Sequence, residues 1–211
     1  MIDLYENEEE LNQSLEASNS SPLDVIYDLR MINERIIYID NDIDISTLKV
    51  QKQIININLE DSKNNIPLEQ RKPIKILIDC IGGNLCESMS LAITIQQSIT
   101  PVWTINIANA YSGGALLLIS GKKRFALPFS KAMIHSGSGE FEGTYEQILE
   151  QIEKYKKDVT EMMNYILSNT TIKPELFEKN RAIDWYMDDN EQLVYGLVDE
   201  ITTNLFALLE E

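Results

Sequence analysis

Twice in this chain a β-branched apolar run ends in a cluster of glycines and is followed at once by a helical pattern. Ile74 to Asp79 (IKILID) leads into Cys80-Ile81-Gly82-Gly83, after which Leu85, Ser88, Met89, Ala92, Ile95 and Ile99 recur at 3.6 spacing. Val102 to Ala108 (VWTINIA) leads to Ser112-Gly113-Gly114, where a short apolar helix, Gly113 to Ser120, begins. Thr100-Pro101 joins the two units. Such alternation restricts the chain to an α/β fold with a largely parallel sheet and right-handed crossovers.

The flanking segments extend this pattern. Arg35 to Asp40 reads as a strand whose consecutive Ile36, Ile37, Tyr38 and Ile39 suit burial on both faces. Ile43 to Leu59 reads as a helix with Ile45, Leu48, Ile55 and Leu59 on one face, the stripe broadened by Val50, Ile54 and Ile57. Glu60 to Pro73 is a polar loop. Thr144 and Gln147 form a capping-box match that opens the longest helix, about residues 144–170, with a seam of Tyr145, Ile148, Ile152, Tyr155, Val159, Met162 and Ile166. A seam this long suits packing against another subunit or covering the core. Pro174 starts a short helix through Asn180, and Asp188-Asp189-Asn190 can cap another from Glu191 to Tyr195.

Chemistry concentrates between Asn109 and Gly143. Ser112 stands at a strand-to-helix turn, where backbone N–H groups without intrahelical partners can stabilise an oxyanion. His135, the sole histidine, closes the strand Ala132 to His135 and faces Ser136-Gly137-Ser138-Gly139. Neutral imidazole is well suited to take a serine proton, although a single histidine is also compatible with a core residue whose nitrogens are satisfied. Asp184 lies in the apolar run Ala182 to Met187, either turned to solvent or used; if buried and ionised it needs a partner.

The remaining composition narrows the function. A net charge of −16 repels phosphate backbones and anionic lipid, so neither nucleic acid nor membrane is expected as a partner. The acidic start lacks the apolar core of a signal peptide, which places the protein in the cytoplasm. Residues 1–22 read as a mobile acidic arm with a short helix around Glu8 to Ala17, and residues 23–211 as a single domain. Cys80 and Cys86 have the spacing of neither a zinc site nor a disulfide framework and are expected to be buried free thiols; no metal site is indicated.

Taken in order, IYDLRMINERIIYID, IDCIGG, NAYSGGALLL, KRFALPFSKAMIH and YGLVDEI resemble the motifs of the Clp protease proteolytic subunit (ClpP) family across about Ile26 to Ile201. The resemblance implies a ClpP/crotonase-like fold of repeated strand-turn-helix units with a projecting handle helix. It implies a serine endopeptidase acting on unfolded polypeptide through an acyl-enzyme, with Ser112 as nucleophile, His135 as base and Asp184 as orienting carboxylate. Asp188 and Asp189 are rival acids better explained as helix caps. The oxyanion donors would be the backbone N–H groups of Gly83 and Gly113, and a strand around Gly137, Gly139 and Gly143 would align substrate. Partners implied are identical subunits in a heptameric ring, two such rings face to face as a tetradecamer, and a hexameric Clp-type ATPase. ATP would be used only by that ATPase, so this subunit needs no cofactor.

Departures from the family pattern shape further expectations. Cys80-Ile81 and Ser136-Gly137 stand where prolines are usual, and Gly113 stands where methionine is usual, which implies a looser cleft. Ile183 replaces an arginine used between rings, and Lys75 and Leu77 lie where aromatic residues dock the ATPase, so ring pairing and docking are expected to differ. A ring subunit with a structural or regulatory role, a phage-type maturation peptidase and a crotonase-type acyl-CoA enzyme are the alternative readings. The last leaves Ser112 and His135 unused.

Overall fold

The computed structural model describes residues 22–210. The expected arm, apart from Pro22, and its short helix lie outside the described residues. The first described element is a helix not expected from the sequence, α1 (Pro22–Asn33), followed by β1 (Ile36–Ile39). Arg35 leaves the expected strand because its backbone turns at φ 59°. Then come α2 (Leu48–Lys63), β2 (Ile74–Cys80), α3 (Leu85–Gln97), β3 (Val102–Tyr111) and α4 (Gly113–Leu118). The chain continues through β4 (Lys123–Ala126), β5 (Lys131–Ile134), α5 (Tyr145–Asn169), α6 (Pro174–Asn180), β6 (Trp185–Met187), α7 (Asp189–Val194), β7 (Glu200–Ile201) and α8 (Leu205–Glu210).

The result is a mixed α/β fold. Strands β1-β2-β3-β4-β7 form a parallel array, while β5 pairs in parallel with β3 and antiparallel with β6. The fork lies within β3. Its first half, Trp103 to Asn106, pairs with β4, and its last residues, Asn109 to Tyr111, pair with β5. Between Ile78 and Cys80 of β2 the pairing register shifts, because β3 carries extra residues there. Such a bulge bends and twists a strand, and here it steers the end of β3 away from β4 toward β5.

Both faces of the central sheet are covered, which explains the continuous apolar runs of β2 and β3. Ile76, Ile78, Leu91, Ala92 and Leu117 belong to the main core. On the opposite face Leu77, Trp103, Ile105 and Phe125 pack with Leu208 of α8, and Lys75 Nζ donates to the Leu209 carbonyl at 2.7 Å. Lys75 and Leu77 are therefore buried beneath the C-terminal helix.

The expected α2 stripe is corrected. Ile45, Ile55 and Leu59 are exposed, whereas Ile54, Ile57 and Asp61 are buried. With the partly buried Val50 these make an i, i+4, i+7, i+11 row that ends in a carboxylate. Asp61 belongs in that row because Arg35 Nη1 donates to its Oδ2 at 2.9 Å and Thr100 Oγ1 at 2.7 Å. A second correction concerns the thiols: Cys80 is buried, but Cys86 is exposed, on the first turn of α3.

The α5 helix begins as its sequence suggests. Gln147 N–H donates to Thr144 Oγ1 and Thr144 N–H donates to Gln147 Oε1. Only Met162 and Ile166 of its seam are fully buried, and Tyr145 at its start is exposed.

Candidate active site

The β3 fork sets the position of Ser112. Tyr111 is registered with Met133 of β5, and one residue on Ser112 N–H donates to the Met133 carbonyl at 2.7 Å. The chain then reverses into α4 with Ser112 at φ 51°, ψ −116°. A non-glycine residue pays about 1–2 kcal/mol to hold positive φ. The Ser112 carbonyl, which accepts from the N–H groups of Ala115 and Leu116, helps to hold it there. The side chain is thereby held toward the end of β5.

Strand pairing also brings the acid to the histidine. In the antiparallel β5–β6 pair Ile134 faces Trp185, so the next step places Asp184 across from His135. Ser112 Oγ lies 2.8 Å from His135 Nε2, and His135 Nδ1 lies 3.2 Å from Asp184 Oδ1. With the proton on Nδ1, Nε2 accepts from the serine hydroxyl, and the carboxylate favours that tautomer. The Asp184 side chain is 56% exposed and His135 21%, so Asp184 is both turned to solvent and in contact with the histidine. Tyr111 and Tyr186 meet edge to face at 5.4 Å and brace β3 against β6.

The rival acids are occupied elsewhere. Asp188 caps α7, accepting from Glu191 N–H while Glu191 returns a bond to Asp188 N–H. Asp189 accepts from Phe129 N–H at 2.8 Å.

A second glycine turn closes on the serine. A Cβ added to Gly82 would lie 2.8 Å from Ser112 Cβ and 3.0 Å from Gly113 N, so only glycine allows the two turns to approach this closely. The partner that fixes this turn gives no signal in the sequence. Ile43 N–H donates to the Gly82 carbonyl and Asn84 N–H to the Ile43 carbonyl, strapping the β1–α2 connection across Gly83. Cys80 adds a staple, with Gly82 N–H donating to its sulfur at 3.3 Å and its sulfur donating to the Asn41 carbonyl at 3.1 Å. Burial pushes the Cys80 thiol pKa up, which keeps it a neutral donor. Among the described residues neither Gly83 N–H nor Gly113 N–H meets an acceptor. Ser88 and Ile43 fill the space beside Gly113.

Ser112, His135, Gly83 and Gly113 line a cleft of about 540 Å³ together with Ile81, Tyr155 and Met162. Its far wall is the segment from Gly137 to Phe141, where the expected strand has no pairing partner among the described residues. Gly137 at φ 85° departs from β geometry, and the segment folds against Tyr155 of α5 instead. No group of side chains suited to hold a metal ion occurs among the described residues, and none of their helices is long and apolar enough to cross a membrane.

The comparisons with known proteins agree with one another. The model of the Clp protease family matches residues 19–205. The ATP-dependent Clp protease proteolytic subunit of Deinococcus radiodurans is 28% identical over 179 residues, spanning 83% of this chain and 84% of that protein.

Proposed function

The chain belongs to the Clp protease family, and from that premise we propose that it is a serine endopeptidase whose nucleophile is Ser112, general base His135 and orienting carboxylate Asp184. The observation that carries the reading is the continuous contact from Ser112 Oγ through both imidazole nitrogens to Asp184.

In this reading Ser112 Oγ attacks the scissile carbonyl carbon as His135 Nε2 takes the hydroxyl proton. The resulting imidazolium is stabilised by Asp184. The carbonyl oxygen becomes an anion between the N–H groups of Gly83 and Gly113, each free to donate. Collapse of the tetrahedral adduct breaks the C–N bond, with the Nε2 proton passing to the leaving amine and an ester left on Ser112. Water, deprotonated by His135, then hydrolyses the ester and regenerates the serine. A general base contributes about 10²–10⁴-fold and a single oxyanion donor about 10²–10³-fold. No step requires a cofactor in this subunit.

The substrate is unfolded polypeptide, aligned by backbone pairing along Gly137, Gly139 and Gly143. The subunit works as a heptameric ring, two of which stack through α5, whose exposed Tyr145 and Leu149 offer apolar surface for such a contact. A hexameric Clp-type ATPase delivers substrate, and its docking surface on this subunit includes α8 rather than a bare strand, since α8 covers Lys75 and Leu77. The site of action is the cytoplasm.

The test is labelling by a fluorophosphonate probe, with native mass measurement of the same samples. Wild-type protein labels on one serine and Ser112→Ala does not. An unlabelled wild type of ring mass would overturn the assignment of Ser112 and leave the subunit a scaffold.

A further inference from the structure

Asp158 places a carboxylate among apolar side chains in the wall of the catalytic cleft. The residues that α5 contributes to that cavity, Tyr155, Asp158, Met162 and Ile166, follow one another at steps of three, four and four and so share one face of the helix. Met162 and Ile166 are buried, as are Leu116, Met133 and Ile134 from the same lining. Asp158 is partly buried, and among the described residues no hydrogen bond or ion pair occupies it. Lys156 pairs instead with Glu153, and Lys154, one turn before Asp158, forms no ion pair with it.

A carboxylate at the edge of an apolar pocket attracts an incoming cation more strongly than one in open water, because less solvent screens the pair. The cleft holds no such cation of its own: apart from His135, the charged side chains that line it are Asp158 and the exposed Glu140. Ile81 also lines a neighbouring cavity together with Asp40, Asp42, Asp44 and Asp79, so the field on that side of the cleft is negative as well. The rest of the wall suits the stem of a long basic side chain. Its methylenes can lie along Met162 and Ile166 while the charged head reaches Asp158, and a guanidinium can in addition stack on Tyr155. An acidic side chain in the same place would meet only like charge.

We propose that Asp158 is a specificity-determining residue of this site: it selects polypeptide segments that place lysine or arginine in the cleft next to the scissile bond. The proposal rests on the peptidase reading above and names the substrate class of that site. Asp158 meets the substrate side chain and takes no part in proton transfer.

The experiment measures labelling of Ser112 by N-acetylated peptidyl diphenyl phosphonates that differ only in the residue bearing the phosphorus, the analogues of lysine, norleucine and glutamate. Norleucine keeps an apolar stem without the charge, and acetylation removes the terminal amine as a competing cation. Second-order rate constants are read by intact mass for wild type, Asp158→Asn and Asp158→Lys, with a simple alkyl fluorophosphonate as control. In wild type the lysine analogue is expected to react about 5- to 20-fold faster than the norleucine one, the weight of one charge-assisted hydrogen bond at a partly exposed position. In Asp158→Asn that ratio falls toward unity, and in Asp158→Lys the glutamate analogue overtakes the lysine one, while the control rate stays at the wild-type value. A wild type that reacts no faster with the lysine analogue than with norleucine overturns the proposal whatever the variants do, and so does a preference that survives in Asp158→Asn. In both cases control labelling of Ser112 leaves the peptidase reading standing. Loss of control labelling in Asp158→Asn alone would make Asp158 part of the framework of the site and would also sink the proposal. A wild type that even the control leaves unlabelled would overturn the peptidase reading, and this proposal with it.

Discussion

The hydroxyl of Ser88 occupies the space that a side chain on Gly113 would need: a Cβ there would lie 2.3 Å from Ser88 Oγ and 3.0 Å from Ile43 Cδ1. Ser88 is fixed in turn by donating to the Asn84 carbonyl at 2.7 Å, in the residue after Gly83. The two glycine turns are therefore locked together by a serine on α3. Gly113→Ala should cost about 1–3 kcal/mol of stability through overpacking, and it should slow fluorophosphonate labelling by moving the Gly113 N–H. Ser88→Ala in the same chain removes the nearest atom and should recover part of both losses. Urea unfolding and labelling rates of the two single variants and the double variant measure the coupling.

Asp184 and Asp188 separate by the kind of damage their loss does. Asp184→Asn should lower kcat by about 10²–10⁴-fold, since the wrong histidine tautomer becomes favourable, with stability nearly unchanged at so exposed a position. Asp188→Ala removes a helix cap and should cost about 0.5–2 kcal/mol of stability while retaining most of kcat. Equal kinetic loss in the two variants would contradict the assignment. Peptide kinetics and thermal unfolding of both variants settle it.

Acid should weaken the fold in part through Asp61. Burial pushes this carboxyl up, but the Arg35 and Thr100 hydrogen bonds and the charges of Arg35 and Arg71 outweigh it and hold the pKa below the ordinary 3.8. A carboxyl lowered in the folded state adds stability that is fully present above its unfolded pKa and is lost as pH falls through the folded one. Asp61→Asn removes that contribution and leaves Arg35 without its anion, so it should destabilise by about 3 kcal/mol at pH 7. The gap between wild type and variant should narrow as pH drops from about 5 toward 3. Urea midpoints measured across that range check both the size and the sign.

Much of this architecture was legible in the residues, and what was not has identifiable causes. The glycine turns, the Thr144 capping box and the Pro174 helix start are local signals, and the structure keeps each of them. Ser112, His135 and Asp184 were legible through motif order, and the structure brings all three together. The Ile43 strap and the Cys80 staple were not, because they are backbone and thiol contacts made across distant segments and leave no pattern in side-chain type. Whether the wall at Gly137 pairs as a strand was not legible, because glycine permits both extended and folded forms, and among the described residues it has no pairing partner. In α2 the apolar residues surround the helix, so periodicity alone could not choose the inner face.

That ambiguity yields the last prediction. The apolar residues of α2 divide into an inner row, with Ile54 at 1% and Ile57 at 7% exposure, and an outer row, with Ile55 at 50% and Leu59 at 62%. Ile54→Ala should therefore cost about 2–5 kcal/mol by cavity formation, whereas Ile55→Ala and Leu59→Ala should each stay within about 0.5 kcal/mol. The carboxylate completing the inner row is the discriminating clue: a helix that buries Asp61 beside Arg35 must also bury Ile57 and Ile54, one and two turns before it. Chemical unfolding of the three alanine variants at a concentration where the chain is monomeric tests this ordering. A loss at Ile55 or Leu59 as large as that at Ile54 would mean that α2 is rotated about its axis, and the Arg35–Asp61 pair would have to be abandoned with it.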